Sequence, residues 1–119
     1  MTPRQRSALP FDIVRTVGLQ LPGVEAAAKY DGSPVLKVGG CFMAGLAMHP
    51  SAEPDTLVVR ARFEDRECLL EDAPGTYYIT DYYLKHPVVL ARLSTLDPDA
   101  LRDLLACSRR LALARKGHR

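Results

Sequence analysis

Two adjacent glycines, Gly39-Gly40, constrain this chain most, because they separate two extended runs, Pro34 to Val38 and Cys41 to Ala47. A two-residue link between antiparallel strands needs positive φ at its centre, which glycine reaches without steric cost. The spacing therefore predicts a tight β-hairpin. A lone hairpin is marginal in water, so further strands or a helix must cover it. The chain supplies both within 119 residues. That is the size of one domain, which hides about two-thirds of its unfolded surface on folding and needs no disulfide or metal to do so.

The expected organisation is a loose arm over residues 1–9, a single domain over 10–115 and a basic tail over 116–119. Pro10 suits the first turn of a helix reaching about Gln20. Ile13, Val14, Val17 and Leu21 stand at helical spacing before Leu21-Pro22-Gly23 stops it. Ala26 to Tyr30 is the first expected strand, and the glycine hairpin follows. His49 to Thr56, with two prolines and two acids, is an expected loop. Leu57 to Arg62 is then extended, with Val59, Ala61 and Phe63 on one face and Arg60 and Arg62 on the other. Phe63 to Asp72 is a short helix favoured by Glu64 and Asp65 in its first turn, and Ala73-Pro74-Gly75 ends it. Tyr77 to Ile79 and Val88 to Leu93 are two more strands. Asp97 caps the last helix, Pro98 takes its first position, and Leu101, Leu104, Leu105, Ser108, Leu111 and Ala112 form its stripe. The order is helix, three or four strands, helix, two strands, helix. It predicts an α+β two-layer sandwich: a mainly antiparallel sheet with helices packed on one face. Function is then expected on the open sheet face, the loops and the tail.

Several chemistries find little support. Cys41, Cys68 and Cys107 are an odd number, far apart and without C-x-x-C spacing, so neither a disulfide scaffold nor a zinc ribbon is expected. The expected compartment is the reducing cytoplasm. No apolar run reaches the roughly 20 residues that a membrane span needs. His49, His86 and His118 share no ligand spacing, and no metal or other cofactor is expected. Neither G-x-S-x-G nor a phosphate-binding glycine pattern occurs, and Gly39-Gly40 is explained by its turn. The carboxylate pairs Glu64-Asp65 and Glu71-Asp72 lie at helix ends and suit a solvated face. The reading is of a non-enzyme.

Two features stand above this background. Tyr77, Tyr78, Tyr82 and Tyr83 crowd the segment TYYITDYYLKH beside Lys85 and His86. Aromatic faces next to cations suit stacking on unpaired bases. The competing reading has one tyrosine of each pair filling the core with its hydroxyl on a polar partner. Charge is also segregated. Residues 104–119 hold Arg109, Arg110, Arg115, Lys116 and Arg119 without an acid, whereas 53–72 hold seven acids against three arginines. The net charge of +2 conceals this dipole. Basic residues at a helix C-terminus supply weak, salt-sensitive affinity for nucleic acid, or simply complement the helix dipole.

The segments LPGVEAAAKYDGSPVLKVGGCFMAGLA, TDYYLKHPVVLARL and DPDALRDLLACSRRLA resemble the MmcQ/YjbR-like family of small bacterial proteins, over roughly Phe11 to Ala114. Leu21 to Glu25, Lys37 to Gly40 and Tyr83 to Leu93 carry the resemblance most specifically. It implies a compact two-layer fold similar to that of CyaY, and a DNA-binding role with paired wings on the sheet. It implies no catalytic residue. The sequence departs from the usual pattern at Asp31, where an aromatic residue is common, and in the family's aromatic-rich turn, which here reads Tyr82-Tyr83-Leu84-Lys85-His86-Pro87.

The leading expectation is a cytosolic binding module that takes DNA weakly through the sheet side: Lys37, Arg60, Arg62 and Arg92 with the loop residues Tyr82, Tyr83, Lys85 and His86. Arginines and Lys85 would contact phosphates and the tyrosines would stack. The alternative is a module for a protein partner or a small ligand, without a nucleic-acid role. A monomer is expected, with no membrane partner.

Overall fold

The computed structural model describes residues 11–117, with side chains to Arg115. The expected arm over 1–9, the helix start at Pro10 and the end of the basic tail lie outside the described residues. Helix α1 spans Phe11–Leu19, and strands β1 (Val24–Ala28), β2 (Pro34–Val38), β3 (Cys41–Leu46) and β4 (Thr56–Arg60) follow. Then come α2 (Phe63–Asp72), β5 (Tyr77–Tyr78), the four-residue α3 (Asp81–Leu84), β6 (Val88–Arg92) and α4 (Pro98–Gly117). The strands form one antiparallel sheet in the order β1-β2-β3-β4-β6-β5, and the fold is the two-layer α+β sandwich that the sequence pattern predicts.

Local chemistry accounts for the main elements. Gly39 and Gly40 both hold positive φ. That pair of left-handed conformations is what closes the two-residue β2–β3 hairpin. Asp97 Oδ2 accepts the backbone N–H of Asp99 at 3.1 Å. It also accepts that of Ala100 at 3.2 Å. These two bonds cap α4. Leu101, Leu105, Ser108 and Ala112 of that helix are buried on the sheet with Leu36, Met43, Leu57, Val59 and Val89. Helix α1 adds Val14, while Ile13, expected on the same apolar stripe, is exposed. Gly18 is the close-approach point of α1, because a Cβ there would lie 2.5 Å from Leu36 Cδ1.

One irregularity shapes the other face. Leu36 pairs with Ala44, yet Lys37 pairs with Phe42, so Met43 is an extra residue in β3. Such a bulge interrupts the ladder, and side chains supply the missing donors. Ser108 Oγ donates to the Met43 carbonyl at 2.8 Å from the helix side, and Arg60 Nε donates to the Phe42 carbonyl at 2.7 Å. Met43 thereby fills the core, whereas Phe42 joins a second cluster with Val58, Val88, Leu90 and Tyr83. Helix α3, in a segment read from sequence as loop, packs Tyr83 on that cluster. It covers part of the sheet face opposite α1 and α4.

Candidate functional site

The second apolar cluster floors a cleft of about 460 Å³ on this face. Its volume falls within the range of small-ligand sites. Phe42 and Val58 belong to the sheet, Tyr82 and Tyr83 come from α3, and His86 comes from the turn before β6. Three cations reach it: Lys29 beyond the end of β1, Arg60 at the end of β4 and Arg115 in the last turns of α4. No carboxylate is among its described lining residues.

Arg60 is fixed by the bulge, since its Nε is spent on the Phe42 carbonyl while the rest of the guanidinium remains available. Burial lowers its pKa from the ordinary arginine value, and the neighbouring Arg115 charge lowers it further. Two guanidinium groups therefore sit near each other at a half-buried site, and an arriving anion relieves their repulsion. The aromatic wall is equally ordered. The Tyr82 ring stacks on His49 with nearly parallel planes and centroids 3.5 Å apart. It meets Tyr83 edge-on at 4.9 Å, the arrangement that ring quadrupoles favour. Nδ1 of His49 accepts the Ser51 backbone N–H at 3.1 Å, and Ser51 Oγ reaches Thr80 Oγ1 at 2.9 Å just before α3. Burial raises the Tyr83 phenol. The hydroxyl therefore stays protonated at neutral pH.

The loop carrying this wall hangs on Arg66. That residue is 4% exposed, and it donates to the carbonyls of Leu84 (3.0 Å), His86 (3.0 Å) and Val88 (3.1 Å). Its guanidinium carbon lies 5.0 Å from the centre of the Phe63 ring, within cation–π range. Phe63 itself is 46% exposed at the start of α2, not on the apolar face of a strand.

Of the eight residues expected at the site, Arg60, Tyr82, Tyr83 and His86 line the cleft. Arg62 does not continue β4; it precedes α2 and pairs with Asp65 at 3.0 Å. Arg92 forms a two-pronged bridge to Glu53 (2.9 Å at both nitrogens), donates to Pro74 and Gly75, and lies over Tyr78. Both charges are answered by acids. Lys37, on β2, and the exposed Lys85 are not among the lining residues. The tyrosine segment divides: Tyr77 is core, Tyr78 binds Thr56 Oγ1 and the Glu53 N–H, and Tyr82 is 52% exposed.

Sequence reasoning missed His49, Lys29, Phe42, Arg115 and Arg66. A second groove, about 400 Å³ between α2 and α4, holds Cys68, Cys107, Asp65 and Asp103, so its charge is opposite to that of the cleft. The cysteines are free, and Cys68 is exposed. Among the described residues there is no cluster of three metal-ligating side chains, and no helix is long and apolar enough to cross a membrane.

No family model matches the chain, and no curated protein matches it. Among solved structures it is similar to the crystal structure of Deinococcus radiodurans protein DR2400, a DUF419 domain. The TM-score is 0.69 at 24% identity, over 95% of this chain and 84% of that one. At that identity the likeness shows a shared fold.

Proposed function

We propose that this chain is an MmcQ/YjbR-like protein that works as a binding module without catalysis, taking into the open-face cleft a small anion that carries a flat apolar part. The DUF419 neighbour and the sequence resemblance support the family. One observation carries the ligand class: Lys29, Arg60 and Arg115 converge on an aromatic-lined cleft without a described carboxylate, while Arg62 and Arg92 are each paired with an acid. A nucleic-acid track needs cations spread along a backbone path. Here three cations without an ion pair among the described residues meet at one cleft with a volume suited to a small molecule. No Ser, Thr, Cys or carboxylic acid stands beside His86 among the described lining residues, which supports binding over chemistry.

Single-stranded DNA is the second reading, favoured by the family resemblance and by the exposed ring of Tyr82. Calorimetric titration separates the two. Inorganic phosphate, a nucleoside, the nucleoside monophosphate and short single- and double-stranded DNA are compared at about 50 and about 200 mM salt. The monophosphate should bind at least about tenfold more tightly than either of its halves. Stronger binding of the DNA strands with a steep salt dependence would favour the second reading, and no binding of any anion at low salt would remove both.

A further inference from the structure

We infer that the free edge of β1 is a self-complementary surface on which two copies of this chain pair, joining their sheets into one. The edge shares one residue, Lys29, with the cleft.

β1 ends the sheet, and after Val24 every residue of VEAAA is exposed, so its outer edge is uncovered by the described residues. Exposed edge strands are usually blocked by bulges, prolines or inward charges. This one is regular over five paired residues and carries three small alanines, Ala26, Ala27 and Ala28. The direction of its hydrogen bonds can be read from the neighbouring turn. Lys29 N donates to Ser33 O at 2.9 Å, so the odd-numbered residues of β1 face β2. By the alternation of an antiparallel ladder, Ala26 and Ala28 then present their N–H and C=O groups outward.

A second copy related by a two-fold axis through Ala27 meets these groups in register. Ala26 of one protomer exchanges hydrogen bonds with the partner's Ala28, and the reverse pair repeats them. The same register sets Glu25 opposite the partner's Lys29 on both sides of the axis. A shift by two residues in either direction keeps the hydrogen bonds but loses this charge match. Charge complementarity therefore selects one occupant, a second copy, and one register. Because the axis is normal to the sheet, both clefts emerge on the same face of the continuous sheet so formed.

Charge-swapped variants test this by sedimentation velocity without added anion, because Lys29 also reaches the cleft. The wild-type chain should show a concentration-dependent dimer. E25K and K29E should each weaken it by about tenfold or more, since each places two like-charge pairs across the axis. Mixing E25K with K29E should restore association, because the mixed pair matches both charges again. A26P should abolish it in every combination. Circular dichroism confirms that each variant is folded. A wild-type chain that stays monomeric at about 1 mM overturns the inference, as does a folded mixture that fails to associate, or single variants that dimerise like the wild type.

Discussion

Arg66 Nη1 donates to the carbonyl oxygen of His86 at 3.0 Å, from a side chain that is almost wholly enclosed. That bond, with those to Leu84 and Val88, ties α2 to the turn that carries Tyr82, Tyr83 and His86. A helix behind the sheet edge thus sets the wall of the cleft. Burying a charge is costly. Here carbonyl dipoles and the Phe63 ring offset the cost, with no ion pair to Arg66 among the described residues.

Replacing Arg66 with Met should remove three hydrogen bonds, with the His86 carbonyl keeping only the Val88 N–H at 2.8 Å, and cost about 2–4 kcal/mol in urea denaturation. Amide exchange should accelerate from Leu84 to Val88. Arg66→Lys keeps the charge but cannot span all three carbonyls, so it should recover only part of the loss. A cost below about 1 kcal/mol for the Met variant would mean that the turn is held by other contacts.

Ser108→Ala should cost about 1–2 kcal/mol, because the Met43 carbonyl at the bulge loses its buried donor. Thermal denaturation measures it. A neutral or stabilising result would show that the bulge satisfies its own backbone.

Gly18→Ala should destabilise by about 1–2 kcal/mol, although alanine is the better helix former. The new Cβ would stand 2.5 Å from Leu36 Cδ1, and Leu36 is fully buried, so that methyl cannot move without displacing the core. A more stable variant would show slack between α1 and β2.

The Glu53–Arg92 bridge has a defined pH signature. The Arg92 hydrogen bonds hold the Glu53 carboxyl below its ordinary value of 4.5. A lowered folded pKa means stabilisation that is present above the ordinary value and lost as pH falls through the folded one. The stability difference between wild type and Glu53→Gln should therefore be flat near neutrality and shrink in acid below about pH 4.5. A difference that grows on acidification would contradict this sign.

The fold was legible because its signals are local. Gly39-Gly40 dictates a turn, Asp97-Pro98 dictates a helix start, and the bounds of α2 follow from Phe63 to Asp72. Helix α3 was missed because so short a segment carries no periodicity. The site was legible only in part. Arg60, Tyr82, Tyr83 and His86 were found from residue type and strand alternation. The pairings of Arg62 and Arg92 were not foreseen; for Arg62 an i, i+3 acid, Asp65, is a usable signal, whereas Arg92 and Glu53 lie 39 positions apart. His49 joins Tyr82 from a distant loop, and Arg115 comes near Arg60 only because α4 packs along the sheet. No local pattern encodes either. Arg66 sits in a run of charges that suits a solvated face, and nothing in its neighbours marks it as the buried one.

Cations without an ion pair among the described residues and aromatic rings converge on one cleft, and amide and side-chain chemical-shift mapping with a nucleoside monophosphate probes that convergence. Shifts should be confined to Lys29, Phe42, Arg60, Tyr82, Tyr83, His86 and Arg115. The affinity should fall about tenfold in Arg60→Ala and stay unchanged in Arg62→Ala. Shifts centred on Arg62 and Arg92, or binding that survives Arg60→Ala unchanged, would contradict it.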